Sequence, residues 1–371
     1  MQVRIGTFNV ENLISRNRYG PKERPDTAPA LSLFDFPNQE GRAHAEHSIA
    51  IALEDDKRQM TALAISEANA DIWALQEVDN LGVLQAFFAN YVHRLSDQRY
   101  GHFRLVNGND RRGIDVACVV RGDLVPEAAI RTESHHEKTF AELDVFDDSL
   151  AAFGITPQDR VFNRDCLEVE IGFPDRAITL FITHLKSMSF WQEDGRLGTM
   201  PIRRAESLAI RTLIERRFGP DWRDASWVIA GDLNDYREKI LPDAKVEPTM
   251  PSSIDPLLED CGVNPVEALP PVERWTYFHR AWSAEASRLA EEHLQLDYLL
   301  LSPALAKANP EPDITLIRRG LPYRVPLDPS APDRSIATLS TRADRYPRIG
   351  WDRPKASDHC PLVIELTIPP N

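Results

Sequence analysis

The chain has 371 residues, 42% of them hydrophobic and 27% charged, with a formal net charge of −14. That length can bury a substantial core, and no apolar run approaches the roughly 20 residues that span a bilayer, so the composition is that of a soluble globular protein. The acidic balance argues against the broad basic surface that binds duplexes tightly through many phosphate contacts, although acid clusters holding divalent cations would make the formal count overstate the field a substrate meets.

In chain order, short apolar runs rich in β-branched residues predict strands at 3–10 (VRIGTFNV), 71–78 (DIWALQEV), 114–120 (IDVACVV), 178–185 (ITLFITHL), 227–233 (WVIAGDL), 294–302 (LQLDYLLLS) and 361–368 (PLVIELTI). Apolar residues recurring every three or four positions predict helices over 56–69, 80–91 and 203–218. The pattern is α/β. Strands alternate with helices in some places and follow hairpin-like turns in others, so mixed sheets covered by helices are expected rather than a purely parallel one.

Between these elements lie polar segments at about 15–50, 131–160, 188–202, 236–292 and 306–355, several of them rich in proline. None has the apolar periodicity for a core of its own. The expectation is one domain over 1–371 carrying them as long insertions, with 306–355 the most irregular. The start, MQVRIGTFNVENL, reads as a strand without the pattern of an export signal. Cys118, Cys166, Cys261 and Cys360 are far apart and form no CxxC pair. Both features favour a cytoplasmic protein without a thiolate zinc site.

Several predicted strands end in a sharp polar residue: Asn9 in TFNVEN, Glu77 in LQEV, His184 in THLKS, Asp232 and Asn234 in GDLND, Asp297 in LDYLL, and Asp358 with His359 in SDHCPL. A single ending of this kind is a turn, since Gly, Asp and Asn are turn residues. A series of them gathers at one edge of a sheet, where α/β proteins commonly bind ligands. Asn, Asp and Glu oxygens are hard ligands suited to Mg²⁺, and two histidines add proton-transfer groups, an inventory suited to phosphoester hydrolysis. Nucleophile-elbow, Walker, GxGxxG and HExxH signatures are missing from the sequence.

In that order, TFNVEN, QEV, THLKS, GDLND, LDYLLLS and SDHCPL make the chain resemble the endonuclease/exonuclease/phosphatase superfamily, with matches running from residue 7 to residue 362. The resemblance implies a four-layer sandwich, two mixed β-sheets packed face to face with helices outside, and one site at their common edge. It implies Glu77 as principal Mg²⁺ (or Mn²⁺) ligand, with Asn9 and Asp358 beside it. His359 is implied as the catalytic histidine, oriented by Asp297, and acts either as base or as cationic phosphate clamp. Asp232 is implied to position or deprotonate the attacking water, Asn234 to donate to a phosphate oxygen, and His184 to contact the phosphate or protonate the leaving oxygen, with Lys186 adding charge.

Arg112, in NDRRGIDVA, is a further candidate for bidentate phosphate contact. His44 with His47, and His135 with His136, read as solvated pairs without acid or cysteine partners at a specific offset. Trp275, Tyr277, Phe278 and Trp282 form an aromatic-rich stretch that could stack a base, although such side chains more often pack loops down. The expected function is a metal-dependent phosphodiesterase, foremost a nuclease with nucleic acid as substrate. A phosphoesterase for a small phosphoester and a non-catalytic binding module on the same fold are the alternatives.

Overall fold

The computed structural model describes residues 1–14, 35–97, 99–188, 195–241, 245–283, 288–321, 346 and 355–370. Its strands are β1 (Gln2–Leu13), β2 (Ile72–Val78), β3 (Tyr100–Leu105), β4 (Asp115–Arg121), β5 (Ile130–Ser134), β6 (Cys166–Phe173), β7 (Arg176–His184) and β8 (Trp227–Asp232), then β9 (Glu238–Ile240), β10 (Val246–Pro248), β11 (Tyr277–Ser283), β12 (Arg288–Leu294), β13 (Asp297–Leu301), β14 (Asp313–Leu316) and β15 (Leu362–Thr367). One sheet has the order β14-β15-β1-β2-β4-β3 and a second the order β13-β8-β7-β6-β5. Each mixes parallel and antiparallel pairs, since β1 with β2 and β7 with β8 are parallel while their other neighbours run antiparallel.

Alternation along the strands builds the layers. Val3, Ile5, Ile72, Ala74, Val116 and Cys118 on the first sheet meet Leu180, Ile182, Val228, Ala230 and Leu299 on the second in one buried cluster. The other face of the first sheet, with Phe8, Trp73, Leu75 and Val119, is covered by Met60, Ala64 and Ile65 of helix α1 (Gln39–Ala68). Phe181, Trp227, Ile229 and Leu300 on the outer face of the second sheet pack under Ala205, Ala209, Ile210 and Ile214 of the Gly195–Phe218 helix. The α/β class and the helix–sheet–sheet–helix sandwich expected from the motifs are therefore present.

Helix α1 begins at an Asn38 cap within the segment read as polar insertion, far ahead of residue 56. Its first half buries no side chain, so no apolar stripe announced it. The helix expected at 203–218 likewise starts earlier, at Gly195. The 236–292 segment is not merely a loop, because it supplies β9, β10, β11 and β12, a small sheet of order β10-β9-β12-β11. These strands are too short, or too charged, to show a period of two. The 306–355 segment contributes β14 as an edge strand against β15, while its residues 322–345 and 347–354 lie outside the described residues, as do 15–34, 189–194 and the side chain of Trp282. Among the described residues no helix is long and apolar enough to cross a membrane, and all four cysteines are free and buried.

Candidate active site

The inner-face parity of each strand decides which polar residue meets which. On β7 and β8, the core positions Leu180, Ile182, Val228 and Ala230 are followed two residues on by His184 and Asp232. On β13, Asp297 precedes Leu299 by the same step and shares its parity with Leu301, and on β1 Asn9 shares the parity of Val3 and Ile5. All four side chains therefore point between the two sheets at one end of the sandwich, where Asn9 Nδ2 donates to Asp232 Oδ2 across the gap at 3.1 Å.

Strand register finishes the cluster. Asp232 lies beside His184 in the parallel pair and opposite Asp297 in the antiparallel pair. Two buried carboxylates facing each other across a ladder repel, and His359 sits between them. Its Nδ1 is 2.8 Å from Asp297 Oδ2 and its Nε2 is 3.7 Å from Asp232 Oδ2. Burial alone would lower the His359 imidazole, but Asp297 and Asp232 outweigh it and push it up to about 10. Burial pushes the Asp232 carboxyl up to about 7, against the charge of His359. His184, whose Nε2 is 3.4 Å from Asp232 Oδ2, goes the other way: burial and then Arg164 hold it well below its ordinary value. One imidazole is thus a cation and the other neutral at neutral pH.

Local backbone serves this arrangement. A Cβ on Gly231, at φ 148°, would lie 1.9 Å from the Thr183 carbonyl oxygen, so only glycine lets β8 run this close to β7 just before Asp232. Beyond the strand, Asn234 takes φ 50°, its N–H donates to Asp232 Oδ1 at 2.9 Å, and its side-chain amide donates to the Leu185 carbonyl at 3.1 Å. Half of that amide's donor capacity remains for another acceptor.

Glu77, Asn9 and Asp358 are positioned differently. β1 lies between β2 and β15 in the sheet, so Asn9 is flanked by the end of β2 and by the segment leading into β15. Register breaks here: the β1–β2 pairing shifts between Asn9 and Leu13, and the β2–β4 pairing between Gln76 and Val78. Glu11, Asn12 and Glu77 take φ of 48°, 58° and 66°, a left-handed conformation that non-glycine residues hold only when their surroundings enforce it. Without the bulge, parity would send Glu77 to the outer face with Leu75. Instead Glu77 Oε2 accepts from the Asn12 N–H at 2.9 Å. Ser357 Oγ donates to the Asn9 carbonyl at 2.7 Å and lies 3.4 Å from Asp358 Oδ1. Burial would raise Asp358, but the charges of His359, Lys355 and Lys57 hold it below the usual carboxylate range.

Enforcement comes from α1. Arg58 donates to the carbonyls of Val10 at 3.2 Å and Asn12 at 2.8 Å, Lys57 Nζ donates to that of Glu11 at 2.7 Å, and Thr61 Oγ1 donates to the Ala356 carbonyl at 2.7 Å. Lys355 Nζ lies 2.9 Å from Glu11 Oε1. Asn9, Glu77 and Asp358 offer an amide oxygen and two partly exposed carboxylates, hard oxygen donors of the kind that fits Mg²⁺ or Mn²⁺.

Lys186 is half-buried, and burial followed by the charge of Arg164 lowers its ammonium. Arg112 stays exposed on the loop before β4, hydrogen-bonded to Asp110 through N, Nε and Nη2. Its charge still reaches His184 and Lys186. The nearer cation, Arg164, was missed. It is 3% exposed, donates from Nη1 to the Leu185 carbonyl at 2.8 Å, and pairs through Nε with Asp110 Oδ2 at 2.9 Å, at an angle too bent for a hydrogen bond. The signal was available, because NRDCLEVEI carries an arginine just before a run of alternating apolar residues; that run is β6, which sequence patterning had not identified. Lys57, Arg58 and Ser357, which touch the site through backbone carbonyls, had no sequence signal.

The histidine pairs divide. His44 and His47 are exposed on α1, as expected. His135 corrects the reading of 135–136 as solvated: it is 5% exposed, with its acid partner Glu168 a strand away and not at a local offset. Trp275 is buried against His293, whereas Tyr277 is half-buried with its ring 4.8 Å from that of His359.

No family model and no curated protein matches the chain. Among solved structures, an endonuclease/exonuclease/phosphatase family protein from Bacteroides thetaiotaomicron aligns with 100% of this chain and 98% of its own at 12% identity and a TM-score of 0.50. A family protein of the same description from Leptotrichia buccalis aligns with 99% of this chain and 100% of its own at 12% identity and a TM-score of 0.49. An AP endonuclease from Leishmania major aligns with 99% of this chain and 88% of its own at 15% identity and a TM-score of 0.48. Identities this low speak to architecture alone. This chain has the fold of the endonuclease/exonuclease/phosphatase superfamily.

Proposed function

We propose that the protein is a Mg²⁺- or Mn²⁺-dependent phosphodiesterase, foremost a nuclease, that attacks phosphorus with an activated water and forms no covalent intermediate. The observation that carries this reading is the buried cluster of His184, Asp232, Asp297 and His359 beside the oxygen donors Asn9, Glu77 and Asp358. The same reading takes residues 1–371 as one domain bearing long insertions.

Asp232, with its proton affinity raised to about 7, is matched to take a proton from water near neutral pH as the water oxygen bonds to phosphorus. His359, charged up to about pH 10 and steadied by Asp297, acts as a cationic donor to a phosphate oxygen rather than as the base. Neutral His184 offers a hydrogen bond, and Asn234 and Lys186 add donors as negative charge builds on the phosphoryl group. A divalent ion held by Glu77, Asp358 and Asn9 would supply Lewis-acid stabilisation of the phosphate and the leaving oxygen. Arg112 and Arg164 lend positive field to the rim.

A small phosphoester is the second reading, favoured by the net charge of −14, which repels a long polyanion. A test compares plasmid DNA, single-stranded oligonucleotide, RNA and bis-p-nitrophenyl phosphate, each with Mg²⁺, Mn²⁺ or chelator, in the parent and in His359→Ala. Metal-dependent cleavage of nucleic acid that is lost in His359→Ala is expected. Unchanged turnover in His359→Ala would remove the mechanism, and a parent inert toward every phosphoester would favour a binding module.

A further inference from the structure

A second cluster of metal-ligating side chains lies on the other face of the second sheet. Leu167 and Val169 of β6 point into the core, so Glu168 points outward, and β5 pairs Glu133 directly opposite it. Two carboxylates opposed across a ladder repel unless a cation lies between them. Arg217 takes only the far oxygen of Glu168, with Nε 2.8 Å from Oε1. His135, one residue past β5, fills the space between, its backbone N–H donating to Asp165 Oδ1 at 3.0 Å.

The imidazole is the informative group. Its Nε2 lies 3.1 Å from Glu168 Oε2, which fixes the proton on Nε2 and leaves a lone pair on Nδ1. Nδ1 is buried without a hydrogen-bond partner and is 3.9 Å from Glu133 Oε1. That gap is too long for a hydrogen bond and just under twice a zinc–ligand bond of about 2.1 Å. A carboxylate behind the distal ring nitrogen, with the proximal one bare and facing an acid, is the arrangement of a histidine ligand. One ligand atom from each of Glu133, His135 and Glu168 lies within 4.8 Å of the others.

We propose that Glu133 and His135 bind a transition-metal ion of the Zn²⁺ class, with Glu168 orienting the imidazole and water completing the shell. The ion pins the end of the edge strand β5 through Glu133 and His135, reaches β6 only through the contact of His135 with Glu168, and is separate from the phosphoester site. Zinc fits better than magnesium because an imidazole nitrogen is among the donors.

The test is calorimetric titration of the full chain with Zn²⁺ under saturating Mg²⁺, together with thermal melting. One Zn²⁺ equivalent is expected in the parent and in Glu77→Gln, weakened by roughly tenfold or more in Glu133→Ala, His135→Gln and Glu168→Gln. Glu133 is exposed, so Glu133→Ala keeps the test valid if the buried variants do not fold. Zn²⁺ should raise the melting temperature of the parent and not of Glu133→Ala. A parent that takes up no Zn²⁺, or a folded Glu133→Ala that binds it as the parent does, would overturn the proposal.

Discussion

The two halves of the candidate site reach one edge of the sandwich by opposite means. His184, Asp232 and Asp297 sit where regular strands end, in unbroken register, and their directions follow from the same alternation that fills the core. Glu77 sits where register breaks, on left-handed backbone like that of Glu11 and Asn12, whose carbonyls cations from α1 hold in place, with Asn9 just ahead of the break and Asp358 on the segment leading into β15. The first half is expensive electrostatically, because it buries opposed carboxylates; the second is expensive conformationally. Each half draws its stability from a different partner, His359 in one and α1 in the other.

The largest effect should come from the buried half. Asp232→Asn keeps the shape and removes the base, so turnover on any cleaved phosphodiester should fall about 10²–10⁴-fold with little change in metal requirement. Steady-state rates at several Mg²⁺ concentrations check this, and a fall rescued by extra metal would place Asp232 in the other half. Glu77→Gln should behave conversely, raising the metal concentration for half-maximal rate by at least about tenfold, read by metal titration of activity and of binding.

The pH profile separates the halves further. Rates should fall as pH drops through about 7, where Asp232 takes up a proton, and again above about 10, where His359 loses one. Asp297 is the larger of the two carboxylate influences that raise His359. Asp297→Asn should therefore bring the alkaline limb down by about two pH units, because loss of a paired charge lowers the imidazole. An alkaline limb that stays in place would exclude His359 as its origin.

The smallest effect tests the brace. Arg58 has a 6% exposed side chain and holds the Val10 and Asn12 carbonyls. Arg58→Met should cost about 2 kcal/mol of stability in denaturant melts and should weaken metal binding more than it slows turnover at saturating metal. Equal loss in both would mean that the strained turn matters to the whole site rather than to its oxygen donors.

Legibility in the sequence followed the same division. Polar residues closing apolar runs marked Asn9, His184, Asp232 and Asp297, because parity of two is written locally and continues past the last core residue. The pairing of His359 with Asp297 joins residues 62 apart, and only register decides that it also spans the space to Asp232. Arg164 went unseen because β6 alternates Leu167, Val169 and Ile171 with Glu168 and Glu170 instead of presenting the continuous apolar run of its neighbours. His135 looked solvated because its partner stands on the next strand.

The sequence by itself determined the α/β class, most of the strands that form the core and the chemical types gathered at their ends, since side-chain period and turn chemistry act within a few residues. Tertiary structure alone decided protonation and aim. Which imidazole is charged, which carboxyl is held near neutrality and where Glu77 points all depend on desolvation and on charges tens to hundreds of residues away, brought close only when the two sheets pack.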